Sequence, residues 1–182
     1  KMCFYKRRLN SSEDELSVDE YDKITKKIRS FNVLGISGGE PFMREDLSEI
    51  VKVIYKNSKP LVLDLPTNGY FTLNILNQTE EILKNCRDLI VDLQLSIDAV
   101  EDLHDEIRGV NSAYKNLRTT YTYLLDIRKK YDNLRLKACI VYSSYNKHVI
   151  EDLLLVLKKE FSELDRVILS VVHGSVEDKE AF

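Results

Sequence analysis

Disulfide chemistry has little to work with in this chain. Its 3 cysteines, Cys3, Cys86 and Cys139, are too few and too scattered for a disulfide framework. An odd number of thiols, with no secretory apolar segment ahead of them, points to a reducing, cytoplasmic setting. With 3 prolines and 6 glycines in 182 residues, collagen-like and low-complexity chains are excluded. No run approaches the ~18 to 20 apolar residues of a membrane span. An excess of one charge is missing as well: 27 Lys and Arg against 30 Asp and Glu leave a net charge of −3. That balance gives no electrostatic reason to expect nucleic acid or an anionic membrane as the main partner. The three histidines, His104, His148 and His173, form no His-x-x-x-His or mixed Cys/His metal pair. There is no G-x-S-x-G elbow, no GxGxxG and no GxxxxGK[ST], so a serine hydrolase or a nucleotide cradle lacks support.

What the chain does have is one supersecondary unit repeated along a single domain, residues 1–182. Ser17-x-x-Glu20 is a capping-box signature, and Tyr21, Ile24, Ile28 and Phe31 follow it at helical spacing. Apolar runs at 33–36, 61–65, 89–97, 136–142 and 167–172 read as strands. Helical stripes separate them: Leu47, Ile50, Val51 and Ile54; Leu76 and Leu83; Tyr114, Leu117, Tyr121, Leu124 and Leu125; Ile150, Leu153, Leu154 and Leu157. Strands this apolar, alternating with helices, predict an α/β fold with a parallel sheet, right-handed crossovers and both sheet faces covered.

Gly and polar residues cluster directly after the strands, as SGGEP, PTNG, SID, YSS and HG. In parallel α/β folds the carboxyl ends of the strands share one rim, where ligands bind. Gly38 and Gly39 let a ligand approach the backbone, Glu40 offers a charged acceptor suited to an ammonium group, and Pro41 stiffens the exit. On spacing alone, Glu40 fits a helix start equally well. Ser96 and Asp98 share one face at a strand end, as ribose contacts or as turn caps. Arg108 is a bidentate donor that suits a carboxylate, and suits a surface ion pair as well. Cys86 and Cys139 read most simply as core or near-core packing residues, and His173 sits on the rim after the last strand.

KMCFY, SGGEPFMREDL, PTNGY and LSIDAVEDLHDEIRG, in this order and spacing, resemble the radical S-adenosylmethionine superfamily across nearly the whole chain. The resemblance implies an incomplete (β/α)6 TIM-like partial barrel. It also implies a [4Fe–4S] cluster held by a Cys-x3-Cys-x2-Cys loop, with S-adenosylmethionine chelating the fourth iron. Reductive cleavage of that cofactor gives a 5′-deoxyadenosyl radical that abstracts hydrogen from substrate, and the cofactor carries the difficult chemistry. By the same resemblance Cys3 is the last cysteine of the loop and a metal ligand. Gly38, Gly39, Glu40 and Pro41 receive the methionine amino group. Ser96 and Asp98 match the strand end at the ribose or carboxylate, and Arg108 pairs with the carboxylate. Asn68 completes the cofactor-binding set from the adjoining loop, without an assigned contact.

The resemblance implies a small-molecule or peptide substrate and an electron donor such as ferredoxin or flavodoxin. It singles out no catalytic residue beyond the cofactor set. The first two cluster cysteines and their strand are not in this chain, so the polypeptide as written is expected to hold no intact cluster and to be inert. The alternative is a non-catalytic α/β ligand-binding or interaction domain built on the same scaffold.

Overall fold

The structure, a computed structural model, describes residues 15–171. Cys3 and His173 lie outside the described residues. The elements run in chain order as α1 (Val18–Thr25), β1 (Val33–Gly35), a 3-10 turn (Pro41–Met43), α2 (Leu47–Ser58), β2 (Val62–Thr67), α3 (Thr72–Asn85), β3 (Ile90–Ser96), α4 (Glu101–Arg108), α5 (Ala113–Arg128), β4 (Leu134–Tyr142), α6 (Ile150–Glu160) and β5 (Arg166–Val171). The strands form one parallel sheet in the order β1-β2-β3-β4-β5. An order without reversal, built from right-handed crossovers, puts every connecting helix on the same side of the sheet. The sheet therefore winds in one sense, as in a barrel, and forms a half-barrel with helices outside and the strand ends gathered on one rim.

The core lies between that outer sheet face and the helices. Leu63 and Leu65 of β2, Val91, Leu93 and Leu95 of β3, and Leu134, Leu136, Ala138 and Ile140 of β4 alternate along their strands. They pack with Leu47 and Val51 of α2, Ile75, Ile82 and Leu83 of α3, and Leu117, Leu124 and Ile127 of α5. Cys86, at the end of α3, is fully buried in this cluster as expected, and burial pushes its thiol up to about 11.

Two expectations need correction, and one helix is added to those expected. The sheet is not apolar on both faces. The residues that alternate with the core set include Asp64, Asp92, Gln94, Arg135, Lys137 and Cys139, all turned away from the helices. Cys139 belongs to that half-buried inner row, level with Ser96, which makes it a near-core residue.

The first helix stops at Thr25 instead of running on to Phe31. Ser17 does close the capping box with Glu20 at its start. At the other end, Asn57 of α2 donates to Thr25 Oγ1 at 2.9 Å and to Asp22 Oδ1 at 3.0 Å, fixing the chain where it turns away. Finally, the acidic segment after Asp98 is a helix, α4. Only His104 and Ile107 on it are buried, and Gly109 stops it in the left-handed region at φ 69°.

Candidate functional site

The rim begins where β1 and β2 stop pairing. Ile36 N–H donates to Asp64 O at 3.0 Å, and the next donor along β2 would be residue 66. That residue is proline, which has no N–H, so the ladder ends and the Ser37–Gly39 loop swings free of β2. Gly38 adopts φ 142°, a conformation closed to residues with a Cβ, and open space surrounds the position a Cβ would take.

Glu40 bridges the gap that Pro66 leaves. Its carboxylate accepts from Thr67 Oγ1 at 2.8 Å, from Asn68 N–H at 2.6 Å and from Phe42 N–H at 3.4 Å. Burial pushes this carboxyl above the usual carboxylate range. The hydrogen bonds from Asn68, Thr67 and Phe42, together with the nearby Arg108 charge, pull it back. Glu40 is thus a brace between the first two post-strand loops. The second loop is held in turn from below: Thr67 Oγ1 accepts Gly69 N–H at 3.1 Å, Asn68 Oδ1 accepts Tyr70 N–H at 2.8 Å, and Thr120 of α5 donates to Gly69 O at 2.7 Å. Gly69 has φ 74°, and a Cβ there would stand 3.0 Å from the Leu117 backbone.

The other half of the rim is built on Asp98, which is 1% exposed. Its Oδ2 pairs with Arg108 at 2.7 Å and its Oδ1 accepts Val141 N–H at 2.9 Å, so both oxygens are spent on protein groups. The Asp98 N–H donates to His104 Nδ1 at 3.3 Å, and its carbonyl accepts from Asn146 Nδ2 at 2.8 Å. Asn146, fully buried, also donates to Val141 O at 2.9 Å and accepts Ser143 N–H at 2.8 Å. One aspartate thereby ties β3, α4, β4 and the Ser143–Asn146 turn together. Ser96, paired with Cys139, lies on the inner face just below.

The structure thus brings Gly38, Gly39, Glu40, Pro41, Asn68, Ser96, Asp98 and Arg108 onto a single rim. It reveals Asp98 and Glu40 as internal clamps, and it adds Asn146, which no motif in the sequence marks, and His104, which lies within the LSIDAVEDLHDEIRG segment but has no role assigned there. Arg108 Nε is buried without a hydrogen-bond partner, an unspent donor of the kind a ligand carboxylate takes. The rim residues therefore fit the amino-acid end of S-adenosylmethionine. The cluster finds no such fit among the described residues: no three His, Cys, Asp or Glu side chains there could hold a metal ion. A polar cavity of about 480 Å³ lies at the opposite strand ends, lined by Arg128, Arg135 and Asp165 among others. There Arg128 pairs with Glu163 and Asp165, clamping α5 to the start of β5.

The strands and helices define a (β/α) half-barrel, and the comparisons with known proteins narrow it. No family model matches the chain. It is 40% identical over 72 residues to a probable GTP 3′,8-cyclase of Methanococcus maripaludis, covering 37% of this chain and 24% of that protein. It is 28% identical over 115 residues to the Fe-coproporphyrin III synthase of Methanosarcina barkeri, covering 62% and 27%. With the PqqA peptide cyclase of Bradyrhizobium diazoefficiens it shares 31% over 117 residues, covering 62% and 29%. The matches span about a quarter of the length of these curated relatives. Among solved structures, a histidine-tagged anSMEcpe with bound AdoMet matches all of this chain and 50% of its own at a TM-score of 0.67 and 14% identity, a likeness of fold. The chain is thus similar over part of its length to radical S-adenosylmethionine enzymes, and over its whole length it shares the fold of a protein solved with AdoMet bound. Among the described residues no helix is long and apolar enough to cross a membrane.

Proposed function

We propose that the protein to which this chain belongs is a radical S-adenosylmethionine enzyme, and that the rim described above receives the amino-acid portion of that cofactor. The convergence of four post-strand segments on one rim carries this reading. Glu40 joins the first segment to the second, and Asp98 joins the third to the fourth through Val141 and Asn146. When bound, S-adenosylmethionine and a reduced [4Fe–4S] cluster supply a 5′-deoxyadenosyl radical for hydrogen abstraction.

The contributions of this chain's own residues are binding and orientation. The Gly38–Gly39 backbone, free of Cβ bulk, offers close approach to an ammonium group. Arg108 is held by Asp98 so that its remaining donors stay in place for a carboxylate. Ser96 supplies a hydroxyl at the β3 end for ribose. Cys3 is the one thiolate of this chain assigned to the cluster, an assignment by resemblance alone.

The test uses the complete protein, reconstituted anaerobically with iron and sulfide and then reduced. Formation of 5′-deoxyadenosine and methionine is expected, with Arg108→Ala weakening S-adenosylmethionine binding by roughly tenfold or more. Binding without cleavage would favour a ligand-binding scaffold. Failure to bind S-adenosylmethionine at all would sink the reading.

A further inference from the structure

The rim does not use the polar residues that line the inner wall of the half-barrel. On the face turned away from the helices, Asp64 of β2 and Asp92 of β3 are acidic, whereas Arg135 and Lys137 of β4 and Arg166 of β5 are basic. Pairing register sets them in rows. Asp64, Asp92 and Arg135 align in one, and Gln94, Lys137 and Arg166 in the next towards the rim. Part of this charge is spent internally: Lys137 pairs with Asp92, and Gln94 donates to Asp64 Oδ1. Even so, Asp92 Oδ1 is buried with no partner, on a side chain only 9% exposed. The Lys137 ammonium has three donors, and its pairing with Asp92 leaves donors over. Arg135 and Arg166 are both exposed, and among the described residues neither has an ion-pair partner.

Folding alone does not call for these groups. Barrel interiors that only pack are filled by branched aliphatics. Replacing a buried ion pair with well-packed apolar residues is often neutral or stabilising. The acids stand on one side of the wall and the bases on the other, which gives the surface a direction.

We propose that this wall recognises a dipolar substrate, its cationic group on the β2–β3 side against Asp64 and Asp92 and its anionic group on the β4–β5 side against Arg135 and Arg166. The inference rests on the enzymatic reading above and adds a substrate class to it. At about 4.8 Å per strand, β4 lies about 10 Å and β5 about 14 Å from Asp64, so the ligand's charges stand on the order of 10 Å apart. A basic and an acidic side chain of one short peptide span that distance, and so, more tightly, do the two ends of a free ω-amino acid.

Isothermal titration of the complete protein with a capped lysyl–glycyl–glutamate tripeptide, and separately with ε-aminocaproate, tests the wall and distinguishes the two sources. Saturable binding of either probe is expected. It should weaken about tenfold in Asp64→Asn and in Arg166→Gln, and vanish for probes neutralised at either end. Arg166→Lys should restore much of the affinity, which a merely misfolded variant could not do. Lys84→Gln, on the exposed side of α3, should leave affinity unchanged. Three results would each overturn the proposal: no saturable binding of either probe, equal binding of the neutralised probes, or affinity unmoved by both variants. S-adenosylmethionine titrated into the same samples separates the two levels. Probe failure with S-adenosylmethionine bound removes only the substrate class, whereas loss of S-adenosylmethionine binding removes the enzymatic reading itself.

Discussion

The two faces of one sheet obey opposite rules. Along β3, Val91, Leu93 and Leu95 point to the helices and are fully buried, while Asp92, Gln94 and Ser96 alternate with them on the inner wall. The outer row is interchangeable aliphatic surface whose worth is the area it removes from water. The inner row is individual: Asp92 has Lys137, Gln94 has Asp64, and Ser96 sits level with Cys139. Stability is thus concentrated on one side of each strand and chemistry on the other. A residue's place in that alternation tells more than its depth, since Asp92 and Leu93 are both buried.

The sharpest way to break this contrast is to remove half of an inner pair. Lys137→Met leaves the buried Asp92 carboxylate without its cation, and should cost about 3–5 kcal/mol in urea unfolding. Pairing it with Asp92→Leu should return stability to within about 1 kcal/mol of the unaltered protein, or above it. A double variant as unstable as the single one would mean that the inner wall is as necessary to folding as the outer. On the outer row Leu93→Ala should cost about 3 kcal/mol through the lost side chain and the cavity it leaves, whereas Gln94→Ala should cost under about 1 kcal/mol. Equal losses at these neighbouring positions would erase the distinction.

The rim mixes both rules, and Gly69 is where they meet. Its φ of 74° and the 3.0 Å approach to the Leu117 backbone leave no room for a Cβ. Gly69→Ala should therefore cost about 2 kcal/mol, with S-adenosylmethionine affinity falling alongside as the Thr67–Glu40 brace is displaced. Stability lost with cofactor affinity intact would detach that loop from the site.

These contrasts are unevenly legible in the sequence. The Ser17–Glu20 capping box, the strand–helix alternation and the clusters of small and polar residues after the first four strands are local signals, and the structure keeps them. Helix α4 is hidden because its eight residues are mostly charged and bury only His104 and Ile107. The inner wall is written openly, as Asp92-Leu93-Gln94-Leu95-Ser96, yet flanking aliphatics make the stretch read as one apolar run. That Glu40 serves as a brace cannot be read at all, because its partners Thr67 and Asn68 come from the next strand. Their approach depends on a ladder that Pro66 interrupts.

A pH-dependent effect concerns His104, a titratable residue on the buried side of α4. Its Nδ1 accepts the Asp98 N–H, so the proton sits on Nε2, which is buried without a partner. Burial lowers its pKa to about 3, with the nearby Arg108 charge adding to the shift and Asp105 opposing it. In the unfolded chain the same imidazole titrates near its ordinary value of about 6.5. Below that pH the unfolded state binds a proton that the folded state refuses, so the histidine's contribution is complete above about pH 6.5. It is lost as pH falls towards 3, at up to about 1.4 kcal/mol per pH unit. Glu40 works in the opposite sense. Its raised carboxyl holds a proton more readily in the folded state, so its contribution is present at low pH and fades as pH rises through its folded pKa. The two overlap in the wild-type curve, and a variant is needed to separate them. In His104→Gln the histidine slope disappears while that of Glu40 remains, so urea midpoints of the two proteins should converge between pH 7 and pH 5. Parallel curves would mean that His104 is not held neutral, and that the Asp98–Arg108 clamp does not depend on the uncharged ring beneath it.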